Sequence, residues 1–127
     1  MSLRIGLVGS KFAADFHTDC YRSLGKEAAT ISGVYSPNQK SRNVFAQRHG
    51  ITPCSSLDQL LLISDVIDIC SPPYSHEHYV IAAASAGKHV IVENPLSGVE
   101  TLPLNKSYST KQWIALIEFD RKLKNQE

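Results

Sequence analysis

Short apolar runs alternate along the chain with segments in which apolar side chains recur at helical spacing. Residues 3–8 form an apolar run, which predicts a buried strand. A helix is predicted over 12–24, because apolar residues recur there every four positions, at Phe12, Phe16, Cys20 and Leu24. Further strands are predicted over 29–35, 51–54, 65–70 and 89–92, and further helices over 38–49, 56–62 and 74–86.

This order of strands and helices predicts an α/β fold with a doubly wound parallel sheet in three layers, α/β/α. Right-handed crossovers favour the Rossmann-like strand order 3-2-1-4-5. The third strand, 51–54, is expected at an edge because Pro53 has no N–H to donate. We expect residues 1–127 to form one domain, in which the region 97–127 is less regular and contains a helix that begins near Ser109.

Composition narrows the classes of function. The net charge of the 127 residues is +1, so the sequence predicts no nucleic-acid partner and no anionic membrane surface. No apolar run approaches the roughly 18 residues that a membrane span needs. The three cysteines form no C-x-x-C pair, which favours free thiols in a reducing cytoplasm. Association into a homo-oligomer is compatible with this composition.

The turn after the first strand is the first candidate for chemistry. It reads G-S-K-F-A-A over 9–14, which is the dinucleotide-binding pattern G-x-G-x-x-G/A with Lys11 in place of the middle glycine. Such a turn offers backbone N–H groups and a helix N-terminus to a pyrophosphate, although a plain buried strand and turn has the same appearance. The Lys11 side chain either blocks the close approach of a pyrophosphate or attracts it through its ammonium group.

Two later segments carry a resemblance to a known family. They read S-P-P-x-x-H over 71–76 and A-G-K-H-V-I-V-E-N-P over 86–95. Together with the glycine turn, and in this order and spacing, they resemble the N-terminal domain of the Gfo/Idh/MocA oxidoreductases. The resemblance extends from about Arg4 to Leu96.

The resemblance implies a nicotinamide dinucleotide cofactor and a parent reaction that transfers hydride between this cofactor and a hydroxyl carbon of a sugar or polyol. It places the pyrophosphate at the first turn, near Gly9, Ser10, Lys11, Phe12 and Ala13. It places the ribose and the nicotinamide near Ser71, Pro72, His76, Glu93 and Asn94. It also implies a cis peptide bond before Pro95.

The end of the second strand bears on the choice between NADP and NAD. NAD-specific sites place an Asp or Glu there to bind the ribose hydroxyls, but this chain has Ser36. Either Lys40 or Arg42, which follow Ser36, is expected to reach a 2′-phosphate. The sequence therefore favours NADP over NAD and assigns Ser36 and Arg42 to the cofactor site.

The chain departs from the family pattern at its catalytic position. Asn94 stands where the family has a lysine, and an amide exchanges no proton near neutral pH, so no catalytic residue is predicted. The family's substrate domain is expected to be absent, so the chain alone is expected to be inactive. Two interpretations stay open. The chain is the cofactor domain of a dehydrogenase, or it is a non-catalytic Rossmann-like module with weak or no cofactor binding.

No metal site is predicted. The sequence H-E-H over 76–78 directs its side chains to different sides of a helix and does not match the zinc motif H-E-x-x-H. His17 is expected to be a hydrogen-bonded histidine near the core. Asp68 is not expected to form a catalytic pair with Asp65, which begins the strand.

Overall fold

The computed structural model describes residues 2–92, which contain four strands and four α-helices. In chain order they are β1 (Leu3–Val8), α1 (Phe12–Leu24), β2 (Ala29–Tyr35), α2 (Gln39–His49), α3 (Leu57–Leu62), β3 (Val66–Ile69), α4 (His76–Ser85) and β4 (His89–Val92). A short 3₁₀ turn, Pro73–Ser75, leads into α4. The helix predicted from Ser109, Glu93, Asn94 and the peptide bond before Pro95 lie outside the described residues.

The sheet of this region contains four parallel strands in the order β2-β1-β3-β4. The α/β class and the Rossmann-like arrangement around β1 are confirmed, but the predicted five-stranded sheet is not observed in residues 2–92. Segment 51–54 meets β2 only through a bridge between Val34 and Pro53. The Val34 N–H donates to the Thr52 carbonyl at 2.9 Å, and the Cys54 N–H donates to the Val34 carbonyl at 2.8 Å. Both bonds use the residues on either side of Pro53, so the bridge needs no N–H from the proline itself, in keeping with a segment at the edge of the sheet.

Both faces of the sheet are covered by helices, as the sequence predicts. The buried core on one face consists of Ile5, Leu7, Ala14, Ala29, Val34, Phe45, Ala46, Ile51 and Val66. The core on the other face consists of Val8, Cys54, Leu60, Leu61, Ile67, Ile69, Tyr79, Val80, Ala83, Ala84 and Val90. Full burial of each large aliphatic or aromatic side chain contributes about 1.5–3 kcal/mol, so these two layers fix the sheet that carries the site.

Local sequence explains where the helices begin and end. Asn38 and Ser56, predicted as first helical residues, are instead the N-caps of α2 and α3, and their side-chain oxygens accept backbone N–H bonds at 2.9 and 3.1 Å. Gly50 ends α2 in the left-handed conformation, with φ of 65°. Within residues 2–92, each helix is too short or too polar to cross a membrane.

The apolar stripe that predicts α1 faces solvent rather than the core. Phe12 is 82% exposed and Phe16 is 59% exposed, and the rest of the stripe is exposed as well. The buried side of α1 carries Ala14 and Thr18, which are small enough to let the helix approach the sheet closely. The predicted bounds of α1 are confirmed, but its apolar spacing does not mark the face that packs.

A charged cluster joins α1 to α2. Asp15 accepts hydrogen bonds from Arg48 Nη2 at 2.5 Å and from His49 Nε2 at 2.6 Å. Burial by itself would raise the pKa of Asp15, but the hydrogen bonds from His49 and Arg48 outweigh it and lower the pKa. The cluster holds the two helices side by side on the same face of the sheet.

Candidate cofactor site

A cavity of about 560 Å³ opens beyond the carboxyl ends of β1 and β3. From these neighbouring strands the chain runs in opposite directions, through α1 to β2 and through α4 to β4. In open α/β sheets, such a reversal of strand order is where ligands bind. The cavity is lined by Gly9, Ser10, Lys11, Phe12, Ala13, His17, Ser36, Pro37, Asn38, Ser41, Ile69, Cys70, Ser71, Pro72, Pro73, Tyr74 and His76.

Most of the residues predicted from the sequence meet at this cavity. Those that line it are Gly9, Ser10, Lys11, Phe12, Ala13, Ser36, Ser71, Pro72 and His76. Arg42 does not line it, and Glu93 and Asn94 lie outside the described residues. The residues that the sequence analysis did not assign to the site include His17, Asn38, Ser41, Cys70 and Tyr74.

Gly9 shapes the turn that follows β1. Its φ is +112°, and a Cβ built there would lie 2.8 Å from the carbonyl carbon of Cys70 and 2.9 Å from the nitrogen of Ser71. The Gly9 N–H donates to the Tyr35 carbonyl at 2.8 Å. Only glycine allows this backbone to pass so close to the segment after β3. The first position of the glycine pattern is therefore a strict requirement of the fold.

Lys11 occupies the position where the pattern has its second glycine. Its backbone is extended, with φ of −112° and ψ of −157°, which any residue can adopt. It is the N-cap residue of α1 and its side chain makes no capping hydrogen bond. The exposed ammonium group thus stands beside the N-terminus of α1, where backbone N–H groups and the helix dipole favour an anion.

At the β2 end of the cavity, hydrogen bonds between serine hydroxyl groups connect neighbouring turns. Ser10 Oγ lies 3.1 Å from Ser36 Oγ and 2.5 Å from Ser41 Oγ. Ser36 Oγ also donates to the Asn38 carbonyl at 3.3 Å. These contacts hold the turn after β1 against the turn after β2. The described residues that line this end offer hydroxyl and amide groups to a ligand and include no carboxylate.

Arg42, which the sequence assigns to the cofactor site, is buried next to the turn after β2. It is 8% exposed, and its Nη1 donates to the Ser36 carbonyl at 3.0 Å. Its Nε has no hydrogen-bond partner among the described residues. The guanidinium is thus buried behind the turn and holds the turn after β2 in place. The expected contact with a 2′-phosphate stays a prediction.

The β3 end of the cavity is a proline turn that His76 closes. The His76 ring is buried, and its Nε2 lies 2.6 Å from the Ser71 carbonyl, to which an N–H donates. Ser75 Oγ donates to Ser71 Oγ at 2.7 Å, and the Ser75 N–H donates to the Pro72 carbonyl at 3.0 Å. The histidine of the motif therefore fixes the shape of this wall as well as lining it.

Below the cavity lies a buried polar cluster that the sequence pattern does not reveal. Asp68 on β3 is fully buried, and its Oδ2 lies 2.6 Å from His17 Nδ1 and 2.6 Å from the hydroxyl of Tyr21, both on α1. Burial first, and the Asp68 charge second, raise the pKa of Tyr21. The expectation that His17 is hydrogen-bonded near the core is confirmed.

With Cys70, this cluster also brings together three residues of types that bind metals. Their ligand atoms all lie within 4.8 Å of one another. The Cys70 sulfur is 3.3 Å from His17 Nδ1 and 3.4 Å from Asp68 Oδ1. However, His17 Nδ1 and Asp68 Oδ2 are 2.6 Å apart, which is a hydrogen-bond distance. Two ligand atoms bound tetrahedrally to one zinc ion, with bonds of about 2.0 Å, would lie roughly 3.3 Å apart. The geometry is that of a hydrogen-bonded pair.

Comparison with known families identifies this arrangement. Residues 3–107 match the model of the oxidoreductase family with an NAD-binding Rossmann fold, GFO_IDH_MocA. The chain belongs to the Gfo/Idh/MocA family. The matched part of the family is its NAD-binding Rossmann domain, in agreement with the sheet, the glycine turn and the proline turn described above.

Individual relatives of the family are longer than this chain. It is 29% identical over 131 residues to a levoglucosan dehydrogenase from Pseudarthrobacter phenanthrenivorans, an alignment that covers 94% of this chain and 33% of the relative. Among solved structures, the WlbA dehydrogenase from Bordetella pertussis in complex with NADH and UDP-GlcNAcA has a TM-score of 0.74 at 22% identity, covering 96% of this chain and 35% of that one.

A biliverdin reductase from Synechocystis sp. PCC 6803, in complex with biliverdin and NADP⁺, has a TM-score of 0.72 at 22% identity, covering 94% of this chain and 35% of that one. At this level of identity, the two structures establish the shared fold. The chain thus spans about a third of the length of the relatives that it matches.

Proposed function

We propose that the cavity binds a nicotinamide dinucleotide, and that the chain is the cofactor domain of a Gfo/Idh/MocA dehydrogenase. The observation that carries the proposal is the position of the cavity. It lies at the reversal of strand order, between a glycine turn with a helix N-terminus and the proline turn of the family motif. When bound, the dinucleotide supplies the hydride donor or acceptor.

The pyrophosphate fits the turn between β1 and α1. The backbone N–H groups of residues 11–14 lie at the N-terminus of α1, and the side chain of the N-cap residue makes no hydrogen bond to them. Lys11 adds a positive charge at the same place and needs no unusual backbone angle to do so. Of the two effects considered for Lys11, attraction of the pyrophosphate has the support of this geometry.

The adenosine half fits the β2 end, and its chemistry favours NADP over NAD. The cavity-lining residues among the described ones include no Asp or Glu, so no carboxylate there opposes a 2′-phosphate. Ser36, Asn38 and Ser41 offer hydroxyl and amide groups, and Lys11 supplies a cation. This preference no longer depends on Arg42.

Titration calorimetry with NADPH and NADH tests both the binding and the preference. We expect the wild-type chain to bind NADPH more tightly than NADH. In Ser36→Asp, a carboxylate would repel the 2′-phosphate and accept bonds from ribose hydroxyls, so the preference should reverse by about tenfold or more. Ser36→Ala is the matched control, because it removes the hydroxyl without adding charge and should keep the preference for NADPH. Tighter binding of NADH by the wild-type chain would contradict the assignment.

The reaction of the complete protein is proposed as hydride transfer to or from a sugar or polyol hydroxyl. A second candidate, a non-catalytic binding module, is favoured by Asn94 at the family's lysine position. Both candidates predict that the 127 residues by themselves do not turn over a substrate. In the proposed function, the residues that hold the substrate against the nicotinamide belong to the rest of the protein. Reproducible hydride transfer by the isolated chain would contradict this.

A further inference from the structure

Two aromatic side chains at the mouth of the cavity are mostly exposed to solvent. Phe12 at the start of α1 and Tyr74 in the 3₁₀ turn both line the cavity, and each is 82% exposed. A ring that is this exposed contributes little to the core, so the fold does not explain its presence there. Large aromatic surface at the edge of a ligand cavity is available for contact with the ligand.

The backbone under Tyr74 is held firmly even though its ring makes little contact. Pro72 and Pro73 restrict φ on its N-terminal side. On its C-terminal side, Ser75 bonds back to the Pro72 carbonyl at 3.0 Å and to Ser71 Oγ at 2.7 Å. The ring is therefore presented by a rigid turn, which lowers the entropic cost of a contact with a ligand.

The two rings lie away from the end of the cavity proposed for adenosine. That end is formed by the hydroxyl groups after β2, whereas Tyr74 follows β3, on the other side of β1. Phe12 begins α1, directly after the turn proposed for the pyrophosphate. A dinucleotide that spans the carboxyl edge of the sheet with its pyrophosphate at this turn must extend its second nucleoside towards β3.

We infer that Phe12 and Tyr74 form an aromatic rim that contacts the nicotinamide half of the dinucleotide. This inference rests on the proposed function and deepens it. A planar nicotinamide ring offers a face for offset or edge contact with an aromatic side chain. In its oxidised form the ring carries a positive charge, which the negative face of Phe or Tyr attracts. The rim contributes no reacting group, so both residues position the nicotinamide half of the cofactor.

The test compares the whole cofactor with its adenosine half. Binding of NADP⁺ and of 2′,5′-ADP is measured by titration calorimetry for the wild-type chain, Phe12→Ala and Tyr74→Ala. We expect each variant to bind NADP⁺ about two- to twelvefold more weakly, the range of a single aromatic contact. Binding of 2′,5′-ADP should change by less than about twofold, because this ligand has no nicotinamide half.

Two further variants separate the contact from general effects. Tyr74→Phe keeps the ring and should retain the NADP⁺ affinity of the wild-type chain. Leu62→Ala removes an equally exposed apolar side chain, 80% exposed at the end of α3 and outside the cavity lining, and should leave both ligands unaffected. Thermal unfolding of all variants is expected to match the wild type, since the altered side chains are mostly exposed.

The outcomes distinguish this inference from the proposed function. If the wild-type chain binds NADP⁺ and neither alanine variant weakens it, the rim is refuted while the cofactor site stands. Equal weakening of NADP⁺ and 2′,5′-ADP also refutes the assignment to the nicotinamide half. If the wild-type chain binds neither ligand, the proposed function fails and the rim fails with it.

Discussion

The two ends of the cavity are built on different principles. At the β2 end, the Ser10 hydroxyl is hydrogen-bonded to those of Ser36 and Ser41. The buried Arg42 side chain donates a hydrogen bond to the Ser36 carbonyl. At the β3 end, a proline turn closed by His76 presents the exposed ring of Tyr74. One end is a hydrogen-bonded polar wall, and the other is an apolar surface on a rigid support.

This difference agrees with the chemistry of the two halves of a dinucleotide. An adenosine phosphate carries charge and ribose hydroxyls, which a polar wall without carboxylates can recognise. A nicotinamide nucleoside presents a planar ring that must stay accessible on one face for hydride transfer, so an aromatic rim can contact it without enclosing it. The contrast therefore supports the orientation proposed above for a dinucleotide along the carboxyl ends of the strands.

The largest loss of stability is expected from a substitution at Gly9, in the turn after β1 that lies between the two ends of the cavity. Gly9→Ala combines an unfavourable positive φ with a Cβ that would lie 2.8 Å from the Cys70 backbone, so we expect a loss of at least about 3 kcal/mol in the free energy of unfolding. Gly50→Ala is the matched control. Its φ is also positive, at +65°, but nothing lies within 4 Å of the added Cβ, and a loss of about 1 kcal/mol is expected.

Urea unfolding of both variants measures the difference. A loss for Gly9→Ala no greater than that for Gly50→Ala would mean that the close approach of the turns after β1 and β3 is not essential. In that case the two ends of the cavity would not depend on a common turn.

An intermediate loss of stability is expected when the hydrogen bond from Arg42 to the turn after β2 is removed. Arg42→Met fills similar space but removes the donor to the Ser36 carbonyl, so we expect a loss of about 1–3 kcal/mol in the free energy of unfolding. Arg48→Met on the same helix removes a half-exposed ion pair with Asp15 and should cost no more than about 1 kcal/mol.

The same pair of variants tests the independence of the two ends. Arg42→Met should weaken binding of 2′,5′-ADP, whereas Arg48→Met should leave it unchanged. Unaltered unfolding and unaltered binding in Arg42→Met would contradict the assignment of the guanidinium to the support of the β2 end.

The smallest loss of stability is expected at the amino-terminal ends of the strands, away from the cavity. This site serves as a reference for both ends of the cavity. A hydrogen bond from the Arg4 side chain and another from the Arg4 backbone lower the pKa of Asp65 to about 2. The pKa of Asp in an unfolded chain is about 3.9. The ionised form is thus favoured in the folded state, and its contribution to stability is present above about pH 4 and is lost as the pH falls towards 2.

Thermal unfolding between pH 5 and pH 2, for the wild-type chain and Asp65→Asn, measures this contribution. The variant should be slightly less stable at pH 5, and the difference should vanish as the pH approaches 2. A difference that persists unchanged at the lowest pH would show that the carboxylate charge is not the cause. Cofactor binding at neutral pH should be the same in both proteins, because Asp65 lies far along the sheet from the cavity.

The sequence alone determined the elements and the identity of the fold. The bounds of β1, α1, β2 and β4 follow from apolar runs, helical spacing and stop signals that act within a few residues. The glycine turn over 9–13 and the motif over 71–76 located much of the cavity lining, because backbone angles and short turns are set locally. The family resemblance is confirmed by the match over residues 3–107.

Only the tertiary structure decided which faces and which partners the side chains meet. The stripe from Phe12 to Leu24 faces solvent, and Arg42 is buried with its guanidinium bonded to the Ser36 carbonyl. Segment 51–54 forms a single bridge, and Asp68 bonds to two residues of α1 that lie 47 and 51 positions away. These outcomes depend on contacts between residues distant in the chain, and local periodicity carries no information about them.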